Sequence, residues 1–221
     1  SVPSTPGALK QAAHRVSDMV YEKILGVPGA FSTRIAYVVV SGVAPQRRYR
    51  LVVADADGAN PRTILDSREP IMSPAWSPDG ERLAYVSFEG QASAIYVQEL
   101  RSGQRERVSA RAGINGAPAW SPDGRRLALT LSSREGNVDV YVMDVASRDL
   151  LRVTDDAAID TEPAFAPDGR TLYFTSDRAG RPQVYRIELA AGQRPVRVTF
   201  EGPYNARPRV SPDGRQLVVV T

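Results

Sequence analysis

The chain contains no cysteine, a single histidine and only two lysines among its 221 residues. Without cysteine it has no disulfide, no thiolate nucleophile and no thiolate ligand for a metal ion. The histidine, His14, lies outside the repeats described below, which excludes a serine–histidine–aspartate triad within them and a histidine metal site. A pair of carboxylates could still support hydrolysis, but no spacing selects one. We therefore predict that the chain is not an enzyme and uses no cofactor.

Long apolar runs are also missing. No stretch approaches the roughly 20 apolar residues that a membrane helix needs, so we expect no membrane span. The first ten residues lack the basic and apolar regions of a signal peptide, which leaves the compartment open because a mature secreted chain has lost its signal. The net charge is only +3, and the arginines recur beside acidic residues instead of forming one basic stripe with aromatics. We expect no nucleic-acid partner.

What the sequence does contain is a repeated heptapeptide. Residues 74–80 read PAWSPDG, and related versions return at 118–124, 163–169 and 208–214, every 44 or 45 residues. A period of this size that holds several short strands is typical of a β-propeller.

Each repeat has the same order of parts. Its first strand carries Ala-Trp-Ser or a relative of it, and an apolar strand follows the Ser-Pro-Asp-Gly turn, as at Arg82–Val86. A third strand such as Ile95–Leu100 and a short fourth such as Arg107–Ser109 complete an antiparallel blade. The predicted fold is therefore an all-β propeller with four-stranded blades. We assign residues 34–221 to an incomplete first blade, three whole blades and half of a fifth, because no Ser-Pro-Asp-Gly or innermost strand precedes Arg34.

One helix precedes the propeller. Between Thr5 and Leu25 the apolar residues fall at three- and four-residue steps, which is helical periodicity. Thr5 with Pro6 fits a helix start, and Gly26 fits a helix end. Residues 26–33 are then predicted to be a connector.

The repeated turn residues are predicted to be structural. Proline presets the backbone of a turn, aspartate accepts hydrogen bonds from neighbouring amides, and glycine takes a positive φ. Equivalent turns around a ring do not converge on one point, which argues against a metal or acid–base role for their aspartates. The aromatics Trp76, Trp120 and Phe165 are expected to pack between blades.

Strand alternation predicts which end of the blades carries function. The loops before each innermost strand share a face with the loops between second and third strands, and the Ser-Pro-Asp-Gly turns lie on the opposite face. The loops before the innermost strands differ from one another, whereas the turns are nearly identical. Loops on a rigid scaffold commonly carry binding function, so the variable face is the predicted functional one; simple drift is the alternative.

Five runs of the chain resemble the TolB family, the periplasmic component of the Tol-Pal system of Gram-negative bacteria. They are residues 17–26 (SDMVYEKILG), 29–31 (GAF), 33–38 (TRIAYV), 72–76 (MSPAW) and 176–185 (SDRAGRPQVY). The helix-to-strand junction and the last run are the most specific.

The resemblance implies a six-bladed propeller behind a small α/β domain, of which residues 1–33 would be the last helix and a linker. It also implies a periplasmic, non-enzymatic binding module that supports outer-membrane integrity and envelope constriction during cell division. The family's propeller mouth receives the lipoprotein Pal, and colicins use the same mouth. The implied partner-binding positions are Met72, Asn115, Ala117, Thr161, Glu162, Asp177 and Arg181. Ile114 departs from the family, whose members can carry histidine there, and the family's TolA-binding segment is absent.

Two other functions use similar repeats. The first is the substrate-gating propeller of a prolyl-oligopeptidase-type serine peptidase, which requires a hydrolase domain with a Gly-x-Ser-x-Gly elbow that this sequence does not contain. The second is a propeller that binds a small molecule or sugar, which would need polar groups converging on the channel.

Overall fold

The computed structural model describes residues 6–132 and 136–221, which form two compact units that divide between Arg68 and Glu69. The boundary predicted at residues 33/34 falls within the first unit, and the division into an α/β-domain remnant and a propeller stays a prediction.

The first unit contains one helix and one three-stranded antiparallel sheet. Its elements are α1 (Pro6–Leu25), β1 (Arg34–Ser41), β2 (Arg48–Asp55) and β3 (Arg62–Ser67), with the strands in that order. The predicted helix is confirmed, although Thr5, its proposed cap, lies outside the described residues. Gly26 ends the helix with φ of 71° and donates its amide to the carbonyl of Glu22 at 2.8 Å, as a left-handed C-terminal residue does.

The connector after α1 is tied back to the helix. The Asp18 carboxylate accepts the amides of Phe31 at 2.7 Å and Ser32 at 3.0 Å, as well as the Ser32 hydroxyl. A Cβ added at Gly29 would lie 2.4 Å from the Asp18 Oδ1, so only glycine fits the close approach. Part of the apolar stripe remains exposed, including Ile24, which is 72% exposed.

The second unit consists of three four-stranded sheets and one two-stranded sheet. The first contains β4 (Ile71–Trp76), β5 (Arg82–Ser87), β6 (Ala94–Glu99) and β7 (Arg105–Ser109). The second contains β8 (Asn115–Trp120), β9 (Arg126–Ser132), β10 (Val138–Asp144) and β11 (Leu150–Arg152). The third contains β12 (Asp160–Phe165), β13 (Thr171–Ser176), β14 (Gln183–Glu188) and β15 (Val196–Arg197). The last contains β16 (Ala206–Val210) and β17 (Leu217–Val220).

Strand order follows the sequence in every sheet, and all pairs are antiparallel, as the repeat predicts. The first strands of successive sheets, β4, β8, β12 and β16, contact one another in turn, which makes them the innermost strands of a propeller. The predicted four-stranded blades are thus confirmed. The sheets of this unit do not close into a ring among the described residues.

The core of the second unit lies between neighbouring sheets. Leu127 and Leu129 of β9 are fully buried in a cluster with residues of β5 and β6. Ala128, between them, faces the other way and packs with Phe174 of β13. This alternation follows from the period-two geometry of a strand that is covered on both faces. Burying each leucine contributes about 1.5–3 kcal/mol.

Aromatic and arginine side chains join one blade to the next. The Trp120 Nε1 donates to the Ala75 carbonyl of the preceding sheet at 3.2 Å, and the Arg82 guanidinium lies 4.6 Å from the centre of the Trp120 ring. Arg82 also donates to the Gly124 carbonyl at 3.3 Å. The next blade repeats this arrangement with an arginine, an aromatic ring and a turn carbonyl, namely Arg126, Phe165 and Gly169. The predicted packing of aromatics between blades is confirmed for Trp120 and Phe165.

The Ser-Pro-Asp-Gly turns have the predicted hydrogen bonds. In the second of them, the Asp123 Oδ1 accepts the Arg125 amide at 3.0 Å and the Ser121 hydroxyl at 2.5 Å, while Gly124 has φ of 68°. The hydroxyl bond, followed by the amide bond, holds the pKa of Asp123 below its usual value.

Candidate binding face

Strand register places the variable loops on one face, as predicted. Ile71, which begins β4, pairs with Ser87 at the end of β5, and Ser87 pairs with Ala94 at the start of β6. The loop before β4 and the loop between β5 and β6 therefore share a face, and the turn at residues 77–80 lies at the other end. We call the end where β4, β8, β12 and β16 begin the bulge face, and the opposite end the turn face.

The bulge face takes its name from an irregularity near the start of every innermost strand. In each, the strand register shifts within the first residues, and one residue that is not glycine has φ between 44° and 54°. These residues are Ser73, Ala117, Glu162 and Arg207. Positive φ is costly for such residues, and it clusters at functional sites. Sequence reasoning missed the bulges because none of the four residues is glycine; their equal spacing in the repeat was the available signal.

Asn115 is buried, and its side chain holds a loop. It is 1% exposed, and its Oδ1 accepts the Ser109 hydroxyl at 2.6 Å and the Arg111 amide at 3.0 Å. Its Nδ2 donates to the Arg111 carbonyl at 2.8 Å. Asn205 repeats the pattern by donating to the Glu201 carbonyl at 2.7 Å. Asn115 therefore shapes the bulge face from beneath, and its role in partner binding stays a prediction.

The equivalent position in the third sheet is Asp160, a buried acid paired with an arginine. Its Oδ2 lies 2.6 Å from Arg178, whose guanidinium stacks 5.1 Å from the Tyr185 ring. Burial raises the pKa of Asp160, against the opposing effects of Ser176 and Arg178. The arginine is only 17% exposed, so this pair stiffens the loop that carries Asp177.

Two of the predicted binding residues, Thr161 and Glu162, belong to a polar cluster formed by first and second strands of neighbouring sheets. The Thr161 hydroxyl lies 3.3 Å from the Thr130 hydroxyl. The Glu162 carboxylate accepts the Thr175 hydroxyl at 3.1 Å. It also accepts the Arg207 amide at 3.1 Å and the Arg207 Nε at 2.8 Å. Glu162 is thus satisfied within the chain, and the sequence alone did not indicate Arg207.

The remaining predicted residues lie at different places on the bulge face. Met72 of β4 is 52% exposed, and Ala117 is half-buried at its bulge. Asp177 accepts the Ile159 amide at 2.8 Å and so joins two loops. Arg181 is exposed and lines a cavity of about 310 Å³ together with Arg197. The structure places Thr161 and Glu162 together in β12, Asn115 and Ala117 together in β8, and Asp177 and Arg181 in the loop between β13 and β14, whereas Met72 lies in β4.

The chemistry of this face is hydrogen bonding and charge. Within residues 6–132 and 136–221, no three histidine, aspartate or glutamate side chains converge as metal ligands.

No helix in the described part of the chain has both the length and the apolar character to cross a bilayer.

Repeated four-stranded sheets joined through their innermost strands, with variable loops at one end, define a β-propeller. Residues 21–221 match the family described as the TolB beta propeller domain, and the chain belongs to that family. The structure of TolB from Acinetobacter baumannii aligns with all of this chain and 54% of its own, with a TM-score of 0.92 and 47% identity.

Sequence relatives give the same family. Over 108 residues the chain is 62% identical to the Tol-Pal system protein TolB of Methylococcus capsulatus, a match covering 49% of this chain and 26% of that protein. It is 61% identical over 112 residues to the protein of the same name from Alkalilimnicola ehrlichii, covering 51% of this chain and 26% of that protein. The chain thus spans about half the length of the solved relative from Acinetobacter.

A peptidase also shares the fold. A puromycin-hydrolyzing peptidase from Mycobacterium tuberculosis aligns with 86% of this chain and 33% of its own, at 23% identity and a TM-score of 0.58. An identity this low shows common architecture alone, and it does not favour the peptidase alternative.

Proposed function

We propose that the chain is a non-enzymatic, periplasmic protein-binding propeller that receives Pal on its bulge face. In this role it supports outer-membrane integrity and constriction of the envelope during cell division. Membership in the TolB family supports Pal as the partner. The observation that carries the location is the row of positive-φ residues, one at each innermost strand of the second unit, all on the face with the variable loops.

Strain of this kind supports a binding role for physical reasons. A non-glycine residue at positive φ costs about 1–3 kcal/mol, and it persists where the surrounding structure over-determines it. The bulge re-aims the side chains that follow it in the strand. Four equivalent bulges therefore fix four loops at defined positions, which lowers the ordering cost of docking a rigid partner.

The solved relative is longer than this chain, and we extend the proposal accordingly. We propose that residues 1–33 are the last helix and linker of an α/β domain, and that residues 34–221 are part of a six-bladed ring. Colicins would compete with Pal for the same face.

The proposal is tested by adding bulk to the bulge face of the protein at its natural full length. Thr161→Ile replaces the hydroxyl that contacts Thr130 with a bulkier ethyl group. We expect it to weaken Pal binding about tenfold, which corresponds to about 1.4 kcal/mol, measured by calorimetric titration. At Ala117, Asn is a better probe than Val, because φ of 44° strains a β-branched residue and is tolerated by asparagine.

The matched control lies on the turn face. Asp79→Ala removes the bonds to the Ser77 hydroxyl and the Glu81 amide, so it should lower the melting temperature without changing affinity in the folded protein. Equal Pal affinity in wild type, Thr161→Ile and Ala117→Asn would show that Pal does not use the bulge face.

A further inference from the structure

The polar cluster of the bulge face ends in a guanidinium group that remains available. The Arg207 side chain is 69% exposed, whereas its partner Glu162 is 25% exposed. Arg207 uses its backbone amide and its Nε toward Glu162. Within the described residues, neither of its Nη atoms has a protein partner.

The acids around this group are already occupied. Asp160 binds Arg178 at 2.6 Å, and the exposed Asp155 binds Arg152 at 2.7 Å. Asp177 accepts a backbone amide. Asp155, Asp160 and Asp177 thus have cationic or amide partners, whereas the Nη donors of Arg207 stay open. At Arg207 itself, the charge that can still be bound is negative.

Arg207 is also preorganised for binding. Its φ of 53° is fixed by a bulge, and its amide donates to both Glu162 and the Thr175 hydroxyl, each at 3.1 Å. The Nε contact with the carboxylate then orients the rest of the guanidinium plane. A fixed planar fork of donors matches the two oxygens of a carboxylate.

We infer that Arg207 is a specificity-determining residue of the bulge face and binds an aspartate or glutamate side chain of the protein partner, with Glu162 holding it in position. This inference rests on the proposed function. A terminal carboxylate fits less well, since chain ends are captured in backbone nests, and the Arg207 amide is already engaged. Glu162 is then a positioning residue and not an acceptor for a cation of the partner.

The direction in which Arg207→Gln changes the affinity for Pal separates these two roles of Glu162. If Glu162 were the group that binds Pal, Arg207→Gln would free its carboxylate and strengthen binding. If Arg207 is the binding group, Arg207→Gln weakens binding about tenfold, and Arg207→Lys, which keeps the charge but not the fork, weakens it less. Arg209→Gln is the matched control, because Arg209 is an exposed arginine of the same strand that donates only to the neighbouring Pro208 carbonyl.

Affinity for Pal is measured by calorimetric titration of the full-length protein at low and raised salt. We expect Arg207→Gln to reduce both the affinity for Pal and its dependence on salt, and Arg209→Gln to keep an affinity within about twofold of wild type. We also expect one Asp or Glu of Pal whose substitution weakens binding to wild type but has no further effect on binding to Arg207→Gln. If the wild-type protein binds Pal and Arg207→Gln binds it equally well or more tightly, this inference is overturned and the proposed function stands. The inference is also overturned if the effect of Arg207→Gln on affinity depends on the terminal carboxylate of Pal and on no Asp or Glu side chain. No binding by wild type overturns both.

Discussion

At the scale of single residues, the turn aspartates show how one short motif serves stability. Asp79 and Asp123 each accept a serine hydroxyl and the amide two residues ahead. For both, the hydroxyl is the largest influence that lowers the pKa below its ordinary value of 3.8. These roles could be predicted from the sequence, because proline, aspartate and glycine at fixed positions allow few local structures.

A lowered pKa predicts how stability responds to acid. Because folding favours the charged form of Asp123, its contribution is complete above the ordinary pKa of 3.8 and is lost as the pH falls below it. We expect Asp123→Asn to lower the unfolding free energy at about pH 7 by less than about 1 kcal/mol, since the carboxylate is exposed and screened. The difference from wild type should shrink at about pH 3, as measured by urea unfolding. A difference that stays constant with pH would contradict this account.

At the scale of elements, the strands follow from the sequence but the bulges do not. Apolar alternation and the repeated turn predict β5 as residues 82–86, one residue short of its observed end. The bulge at Arg207 is held by hydrogen bonds to Glu162 and Thr175 of the preceding sheet, which a single repeat does not reveal. Asn115 shows the same limit, since its burial beneath a loop is a tertiary property. The sequence therefore predicted the face on which the candidate site lies, but it did not predict the hydrogen bonds within that site.

The bulges predict opposite effects of glycine at two nearby alanines. Ala117 has φ of 44°, so Ala117→Gly should relieve strain of about 1–2 kcal/mol, less the entropy that glycine costs, and raise stability by up to about 1 kcal/mol. Ala119, two residues later in β8, lies outside the positive-φ set. Ala119→Gly should lower stability by about 0.5–1 kcal/mol. Denaturant unfolding of both variants checks the difference, and a loss at both positions would show that the bulge carries no strain.

At the scale of the whole chain, the two faces of the second unit differ in their contacts and in how far their sequences repeat. On the turn face, the guanidinium groups of Arg82 and Arg126 cross to the turn carbonyls of the next blade and couple neighbouring sheets. On the bulge face, strained residues and open donors such as Arg207 stand among loops of differing sequence. Repetition preserves both the turn-face contacts and the four bulges, whereas the loops beside the bulges differ in sequence.

Amide hydrogen exchange of the full-length protein with and without Pal tests this division of faces most directly. We expect slower exchange in the presence of Pal at the four bulges, Ser73, Ala117, Glu162 and Arg207, and in the loops beside them. Exchange at the turns formed by residues 77–80, 121–124 and 166–169 should not change. Protection of the turns with unchanged exchange at the bulges would contradict the assignment of the binding face.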